Sequence, residues 1–178
     1  MGTKICVITG ASSSGKTTII NLLSDMGFTI MHEVARDVLQ EGILHPDKDV
    51  LKFQKEVAKR HYEKEQVIRL KNNNEIIFLD RGMYDNVAFC KYFGLKDLPE
   101  TLNKNLKYDA VFVLDQLKNF EHDGIRIEKN MEEALKIKNL IINEYQNRNI
   151  ECVRVPVMSP EGRVNFILNY SRSFLSKV

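Results

Sequence analysis

Residues 10–17 form an octapeptide whose composition and spacing suit the binding of phosphate groups. The segment, Gly-Ala-Ser-Ser-Ser-Gly-Lys-Thr, matches the complete pattern G-x-x-x-x-G-K-S/T. Gly10 and Gly15 permit backbone dihedrals that a side chain would disfavour, so successive N–H groups can point into one concavity and hold phosphate oxygens. Lys16 can reach the β- and γ-phosphates, and the Thr17 hydroxyl can bind Mg²⁺. The octapeptide predicts a site for a nucleoside triphosphate.

The residues on either side of the octapeptide provide the strand and the helix that this motif requires. An apolar run, Ile5–Ile8, precedes it, and residues 18–23 continue it with a helical pattern. The amino-terminal dipole of that helix would add a positive potential behind the phosphates. We therefore predict ATP and Mg²⁺ as cofactors and expect the nucleotide to contact the whole segment: Gly10, Ala11, Ser12, Ser13, Ser14, Gly15, Lys16, Thr17 and Thr18. The alternative is a glycine- and serine-rich turn in front of a core helix.

Two predicted strands end in an aspartate that could hold Mg²⁺. Ile76–Leu79 is followed by Asp80, and Val111–Leu114 is followed by Asp115. An acidic side chain at the carboxyl end of a strand beside the phosphate loop can bind Mg²⁺ directly or through water. The pattern alone is weak, because apolar strands often end in aspartate for turn formation.

The neighbours of Asp80 favour it over Asp115. Arg81 and Gly82 follow it directly, and Asp85 lies at the start of the next predicted helix. An Asp–Arg pair at a strand end, with a glycine that permits close approach, suits a site that meets both Mg²⁺ and an anionic or hydroxylated substrate. We therefore predict that Asp80, like Lys16, is catalytic and that it binds the metal with Thr17. Arg81 and Asp85 are predicted to contact the substrate.

Glu33 and Arg36 follow the second predicted strand, at a place where open α/β sheets collect ligands. They stand three residues apart at the start of a predicted helix, so they share one helix face. Glu33 could accept a proton from a substrate hydroxyl, and Arg36 could hold a substrate oxygen or phosphate. We predict a catalytic and substrate-binding role for Glu33 and a substrate-binding role for Arg36. The alternative is a capping carboxylate in a surface ion pair.

The segment from about residue 116 to residue 129 is polar and lies between the fourth predicted strand and a long predicted helix. A segment of this length inside a compact domain is often a lid. Arg126 lies within it and could close on the phosphates, stabilise the transition state and exclude water. We predict that Arg126 is catalytic, against the alternative of a solvated loop with an incidental arginine.

The elements that must position these residues alternate between strand and helix patterns. The predicted strands are Ile5–Thr9, Phe28–Met31, Glu75–Asp80, Asp109–Leu114 and Ile150–Val155. Helices are predicted over 16–24, 34–40, 83–93, 130–147 and 161–175. A further long helix is predicted after Asp47, which would cap it, with the apolar positions Leu51, Val57, Ala58, Tyr62, Val67, Ile68 and Leu70. This alternation predicts an α/β fold with a five-stranded parallel sheet covered on both faces. We expect a P-loop NTPase with the kinase strand order 2-3-1-4-5, although periodicity alone does not give that order.

The composition indicates one domain without strong attraction to charged polymers. The chain has 178 residues, 28% of them charged, and a net charge of +2, which disfavours nucleic acid and acidic membranes as partners. Its apolar stretches are too short to span a bilayer, and we expect no signal peptide. Cys6, Cys90 and Cys152 lie in apolar segments without metal-binding spacing, which predicts core thiols and a cytoplasmic location. We predict a single P-loop kinase-like domain over residues 1–178.

Two segments, by their sequence and their places along the chain, are typical of one protein family. They are Glu33-Val34-Ala35-Arg36 and Asp123-Gly124-Ile125-Arg126, and with them the chain resembles the NadR-type AAA-domain group of P-loop proteins nearly from end to end. That group includes the ribosylnicotinamide kinase domain of bifunctional NadR regulators. The resemblance implies that Lys16, Thr17 and Asp80 handle phosphate and metal. It also implies that Glu33 and Arg36 face the acceptor and that Arg126 lies in the lid.

The chain departs from that group in having Asp80-Arg81-Gly82 after the third predicted strand, which is similar to the Asp-Arg pair of nucleoside and nucleoside-monophosphate kinases. We therefore predict an ATP- and Mg²⁺-dependent phosphotransferase of a small hydroxylated acceptor, with a nucleoside or nucleotide favoured. One alternative is a P-loop ATPase or nucleotide-binding regulatory protein without such an acceptor. The sequence has no Asn-Lys-x-Asp guanine-recognition tetrad, which argues against an ordinary GTPase switch. A second alternative function is that of a polynucleotide 5′-kinase, which the near-neutral charge of the chain disfavours.

The first prediction concerns the lysine of the phosphate loop. Lys16→Ala should abolish ATP binding with little loss of folding, because a loop lysine supplies charge to the phosphates and adds little to the core. Calorimetric titration with ATP checks this. Unchanged ATP affinity in the variant would show that the loop is not the nucleotide site.

Overall fold

Five parallel strands form one sheet in the order β2-β3-β1-β4-β5, with helices on both faces. The computed structural model describes residues 3–70, 76–96, 98–117 and 130–173. The strands are β1 Lys4–Thr9, β2 Thr29–Met31, β3 Ile76–Asp80, β4 Ala110–Leu114 and β5 Cys152–Val155. The helices are α1 Lys16–Asp25, α2 Val34–Gln40, α3 Pro46–Arg69, α4 Met83–Tyr92, α5 Met131–Gln146 and α6 Pro160–Arg172, with a 3-10 turn at Glu100–Asn103 that the sequence did not predict. The predicted α/β class and strand order are confirmed.

Alternate residues of each central strand enter two separate cores, one on each face of the sheet. In β1, Ile5 and Val7 pack into the core beneath α2, α3, α4 and α5, whereas Cys6 and Ile8 pack into the core beneath α1 and α6. Side chains of a strand point to opposite faces with a period of two, so a strand buried on both faces is apolar throughout. This is why the central strands show continuous apolar runs, and it produces three layers.

The long helix α3 begins differently from the prediction. Asp47 does not cap it; the His45 side chain accepts a hydrogen bond from the Asp47 backbone N–H at 3.3 Å, and Pro46 occupies the first turn. Asp49 has extended dihedrals, φ −155° and ψ 88°, and its carboxylate accepts from the Lys52 N–H at 3.0 Å. Those are the features of an N-cap residue, so the regular part of α3 starts after Asp49.

The buried face of α3 is also more polar than predicted. Val67 and Leu70 are 61% and 83% exposed, whereas the Glu65 side chain is fully buried. The Glu65 carboxylate accepts from Arg69 Nη2 at 2.5 Å and from the Tyr108 hydroxyl at 2.9 Å, and these partners make burial of its charge tolerable. Hydrophobic periodicity cannot detect a buried glutamate with its hydrogen-bond donors. The predicted apolar face of α3 therefore includes Val67 and Leu70, which are exposed, and omits Glu65, which is buried.

The sheet brings the carboxyl end of β3 next to the loop that follows β1. In the register of this pair Ile8 lies opposite Asp80, and the Arg81 backbone N–H donates to the Ile8 carbonyl at 3.0 Å. On the other side β4 pairs with β1 so that Val113 lies opposite Thr9. The phosphate loop therefore emerges between the ends of β3 and β4, with one candidate aspartate on each side.

Two further expectations concern the described residues as a whole. Cys6 and Cys90 are buried and Cys152 is partly buried, all as free thiols, and burial raises the pKa of Cys6 to about 12 and those of Cys90 and Cys152 to about 11. None of the described helices combines the length and the apolar character that crossing a bilayer requires. Residues 118–129, which hold most of the predicted lid, lie outside the described residues.

Gly82, at the entry to α4, generates the second prediction. Its φ of −113° suits any residue, but an added Cβ would collide with the Tyr145 hydroxyl and lie 3.0 Å from Val7 Cγ2. We expect Gly82→Ala to destabilise the protein by about 3 kcal/mol through overpacking, measured by urea denaturation. Gly94→Ala is the matched control: its Cβ would meet nothing within 4 Å, and its φ of +68° should cost only about 1 kcal/mol. Equal losses in the two variants would contradict the close packing at Gly82.

Candidate functional site

The phosphate loop adopts a conformation in which glycine is required at its start. Gly10 has φ +145°, and a Cβ there would lie 2.9 Å from the Leu114 carbonyl oxygen. Ser13 and Gly15 both have left-handed backbone conformations, with φ +59° and +84°. Residues of that handedness within a turn direct neighbouring N–H groups into one concavity, which is the geometry of an anion-binding nest. The requirement for Gly10 and Gly15 was predicted, but the left-handed Ser13 was not.

Lys16 begins α1 and folds back across the loop. Its ammonium donates to the carbonyl oxygens of Gly10 at 3.1 Å and Ala11 at 2.8 Å, and its side chain is buried. Thr17 and Thr18, the next residues of α1, are exposed. The ammonium is thus anchored at the inner side of the loop, next to the residues predicted to hold phosphate and metal.

Asp80 lies at the end of β3 with its carboxylate directed into a charged and nearly dry environment. The residue is 7% exposed, and its Oδ1 atom has no hydrogen-bond partner among the described residues. Burial and the nearby Glu33 carboxylate raise the pKa of Asp80 to about 6, against the opposing charges of Lys16 and Arg81. A buried oxygen that lacks a donor suits a cation.

The surroundings of Asp80 fit Mg²⁺ better than those of Asp115. Both oxygens of Asp115 are engaged, by Lys138 Nζ at 3.1 Å and by Arg154 Nε at 2.8 Å. Burial opposes ionisation of Asp115, yet these two hydrogen bonds hold its pKa below the ordinary range. The described residues contain no group of three or more metal-binding side chains, and Mg²⁺ sites formed by one carboxylate, water and nucleotide phosphates need none.

Glu33 and Arg36 stand at the start of α2, as predicted, and Glu33 points towards the phosphate loop. Glu33 Oε1 accepts from Arg81 Nε at 2.8 Å, and Arg36 Nε lies 4.0 Å from Glu33 Oε2. Burial opposes ionisation of Glu33, but the charges of Arg81, Lys16 and Arg36 outweigh it and lower its pKa. Glu33 and Arg81 therefore form a direct ion pair, while Arg36 remains half exposed at its edge.

Arg81 connects three parts of the site from a strained backbone position. Its φ is +69°, a left-handed value that costs energy in a residue with a side chain. Its guanidinium donates to Glu33, to the Gly10 carbonyl oxygen at 3.3 Å and to the Asp85 carboxylate at 3.3 Å. The guanidinium also lies 5.2 Å from the centre of the Phe89 ring.

Asp85 supports this site from the interior. The prediction that it contacts a substrate is not supported, because the residue has 0% exposure. Its Oδ1 accepts from the Thr9 hydroxyl and from Arg81, and its Oδ2 accepts from the Gly82 N–H at 3.1 Å and the Tyr145 hydroxyl at 2.6 Å. With both oxygens occupied by protein donors, Asp85 positions Arg81 rather than a ligand.

Several residues that shape the site gave no signal in the sequence. Thr9 and Tyr145 act through Asp85, whereas Gln116 and Arg163 hold the outer side of the phosphate loop. Only Gln116 could have been suspected, since it follows Asp115 at the carboxyl end of β4. Arg126 lies outside the described residues, so its predicted role in a lid stays a prediction.

Comparison with known proteins assigns the chain to a family. Residues 5–163 match the model of an AAA domain, AAA_28. The chain belongs to this AAA-domain family. It is 28% identical over 153 residues to the trifunctional NAD biosynthesis/regulator protein NadR of Escherichia coli, covering 83% of this chain and 37% of that protein. A NadR of Salmonella typhimurium is 27% identical over 161 residues, covering 88% of this chain and 39% of that protein. The chain thus spans little more than a third of these curated relatives.

Solved structures show the same fold at low sequence identity. A NadR protein in complex with NR superposes with a TM-score of 0.74 at 16% identity, covering 96% of this chain and 51% of that chain. A deoxyadenosine kinase from M. mycoides, with products dCMP and dCDP, superposes with a TM-score of 0.66 at 18% identity, covering 95% of this chain and 99% of that chain. A thymidylate kinase from Ehrlichia chaffeensis superposes with a TM-score of 0.63 at 16% identity, covering 96% of this chain and 99% of that chain. The resemblance to the NadR-type group is confirmed.

The opposite electrostatic environments of Asp80 and Asp115 generate the third prediction. Because the pKa of Asp80 is raised from its ordinary value of 3.8 to about 6, its contribution to stability is full below pH 3.8 and is lost as pH rises through 6. Asp80→Asn should therefore stabilise the ligand-free protein by about 2–3 kcal/mol at pH 8 and by little at pH 4. Denaturant unfolding at both pH values measures this.

Asp115→Asn is the matched control and should have the opposite sign. The lowered pKa of Asp115 gives stability that is present above its ordinary pKa and is lost as pH falls, so the variant should be less stable at pH 8, by up to about 1 kcal/mol. If Asp80→Asn were also less stable than the parent at pH 8, the unsatisfied environment assigned to Asp80 would be wrong.

Proposed function

We propose that this chain is a phosphotransferase that uses ATP and Mg²⁺ to phosphorylate a small hydroxylated acceptor, with a nucleoside or nucleotide as the favoured class. The observation that carries the proposal is the Glu33–Arg81 ion pair, at 2.8 Å, beside the phosphate loop. A protein that only binds a nucleotide needs the loop, but it has no need of an ionised carboxylate held next to it. A kinase needs such a group to orient the acceptor hydroxyl.

The lowered pKa of Glu33 suits phosphoryl transfer in a specific way. A carboxylate with a low pKa is a weak base, so Glu33 would not deprotonate the acceptor hydroxyl before the reaction advances. Phosphoryl transfer through a loose transition state asks mainly for positioning and charge stabilisation, and only late for a proton acceptor. Glu33 would thus orient the hydroxyl first and take its proton as the new bond forms.

The cationic side chains divide the remaining work. Lys16, anchored on the loop, would meet the phosphates, while Arg81 and Arg36 would hold Glu33 and present charge to an acceptor oxygen. Asp80 and the exposed Thr17 hydroxyl would hold Mg²⁺, which neutralises charge on the phosphates when it is bound with nucleotide. Arg126 is proposed to close over the phosphates from the lid.

The relatives support a nucleotide-related acceptor. NadR structures were obtained with NR and with NAD plus AMP-PNP, and the deoxyadenosine kinase was obtained with dCMP and dCDP and with dATP. These ligands share a ribose or deoxyribose with free or phosphorylated hydroxyl groups. We extend that class to the present chain as the substrate to test first.

The second candidate function is that of a P-loop ATPase or nucleotide-binding regulatory protein. What favours it is that the residues predicted to contact phosphate and metal, apart from the lid arginine, would serve hydrolysis or sensing equally well. The Glu33–Arg81 pair separates a kinase from a protein that only binds a nucleotide. Stimulation of ADP release by an acceptor separates a kinase from an ATPase, in which such a carboxylate would orient water.

The fourth prediction distinguishes them. With the parent protein, ADP release from ATP and Mg²⁺ alone should be slow, and the correct nucleoside or nucleotide should stimulate it strongly; a coupled assay across a panel of acceptors measures both rates. Glu33→Gln should lower the stimulated rate about 100-fold, because the acceptor hydroxyl loses its orienting base, while ATP affinity changes little.

Glu41→Gln, at the other end of α2 and paired with Arg60 at the surface, provides the control and should retain the parent rates. If no nucleoside, nucleotide or related riboside stimulates ADP release, and Glu33→Gln leaves every rate unchanged, the regulatory or ATPase function replaces the kinase.

A further inference from the structure

Arg163, in the first turn of α6, holds the outer side of the phosphate loop. Its Nη1 donates to the Ser14 carbonyl oxygen at 2.5 Å, its Nη2 to the Asp115 carbonyl oxygen at 2.9 Å and its Nε to the Pro156 carbonyl oxygen at 3.0 Å. One guanidinium therefore ties the loop to the carboxyl ends of β4 and β5. The rigid planar fork of a guanidinium holds its three acceptors in fixed directions, whereas the three donors of an ammonium rotate on a flexible stem.

The contact with Ser14 determines the direction of the next peptide group. In a planar trans peptide the C=O and the following N–H point in opposite directions, and the described residues contain no cis peptide. Because the Ser14 oxygen points outward to Arg163, the Gly15 N–H must point inward, to the concave side of the loop. Gln116 does the same two peptide groups earlier: its Nε2 donates to the Ser12 oxygen at 2.6 Å, which turns the Ser13 N–H inward.

The guanidinium of Arg163 is also a buried charge against the loop. The residue is 2% exposed, and a Cβ placed on Gly15 would lie only 3.4 Å from Arg163 Nη1. Within the described part of the chain its hydrogen bonds go to carbonyl oxygens, whereas the Asp115 carboxylate is engaged by Lys138 and Arg154. Burial lowers the pKa of Arg163 against the opposing charge of the nearby Asp115 carboxylate, and an arginine stays protonated at neutral pH. A buried cation without a bonded carboxylate stabilises an anion bound nearby.

We propose that Arg163 is a positioning residue of the nucleotide site, which turns the Gly15 N–H towards the phosphates and adds a fixed positive charge behind the loop. The inference rests on the proposed function, since it supposes that the loop binds a nucleoside triphosphate. It assigns the phosphate loop a cation in addition to Lys16: Lys16 meets the phosphates from within the loop, and Arg163 acts on them through the peptide group between Ser14 and Gly15.

The fifth prediction tests this with ATP titrated by calorimetry into variants of Arg163, at a temperature where circular dichroism shows each variant to be folded. Arg163→Met should raise the Kd for ATP about 30-fold, since both the charge and the peptide anchor are lost. Arg163→Lys should raise it only about fivefold, because the charge is retained. Rescue by lysine is the decisive observation, because a purely structural fork is not restored by a single ammonium.

Two further variants keep the test sharp. Arg154→Met removes an arginine of the same region that is 80% exposed and bonds the Asp115 carboxylate, and it should change the Kd less than about twofold. Gln116→Leu removes the hydrogen bond to the Ser12 oxygen and should raise the Kd for ATP about fivefold. This variant tests the orientation of the loop peptides even if Arg163→Met does not fold.

Each outcome has a distinct meaning. If Arg163→Met binds ATP like the parent, or if Arg163→Lys loses as much affinity as Arg163→Met, the role assigned to Arg163 is overturned. If Arg163→Met does not fold and Gln116→Leu binds like the parent, it is overturned as well. If the parent binds ATP and Lys16→Ala does not, these results leave the proposed function standing. If the parent itself shows no ATP binding, the proposed function fails and the inference fails with it.

Discussion

The buried carboxylate of Asp85 is the interaction on which the arrangement of the site depends. An ionised carboxylate without partners costs several kcal/mol in a protein interior, so its donors must be held in place. Those donors come from Thr9 at the end of β1, Gly82 after β3 and Tyr145 of α5, together with the Arg81 guanidinium. The requirement to satisfy one carboxylate therefore joins three elements, and it holds Arg81 in the left-handed conformation that places its side chain between Glu33 and the phosphate loop.

The charges around Arg81 then separate two neighbouring carboxylates into different states. Glu33 bonds the guanidinium directly, and its pKa falls; Asp80 has an unpartnered buried oxygen and lies in the field of Glu33, and its pKa rises. Pairs of titratable groups whose pKa values are pushed apart in this way are typical of functional sites. The same asymmetry destabilises the ligand-free protein, and a cation at Asp80 would relieve it.

Local sequence patterns were sufficient for the parts of the site that one segment forms alone. The octapeptide predicted its own strand, loop and helix, and the alternation of elements predicted the sheet, whose strand order came from the P-loop kinase fold. The patterns failed where a side chain depends on distant donors: Asp85 meets Thr9 and Tyr145 at separations of 76 and 60 residues, and Arg163 meets Ser14 at 149. Nothing in the neighbourhood of Asp85 reveals that its carboxylate is enclosed rather than presented to a ligand.

The hydrogen bonds of Lys16 to the carbonyl oxygens of its own loop have a consequence for the kinetics of ligand capture. With its ammonium already fixed at 2.8 and 3.1 Å, the loop does not have to become ordered when a polyphosphate arrives. The entropy of the long, flexible lysine side chain is therefore lost when the protein folds and not when the ligand binds. A preorganised loop removes the delay of a conformational change from association, so differences in affinity between nucleotides would lie mainly in how fast each one leaves.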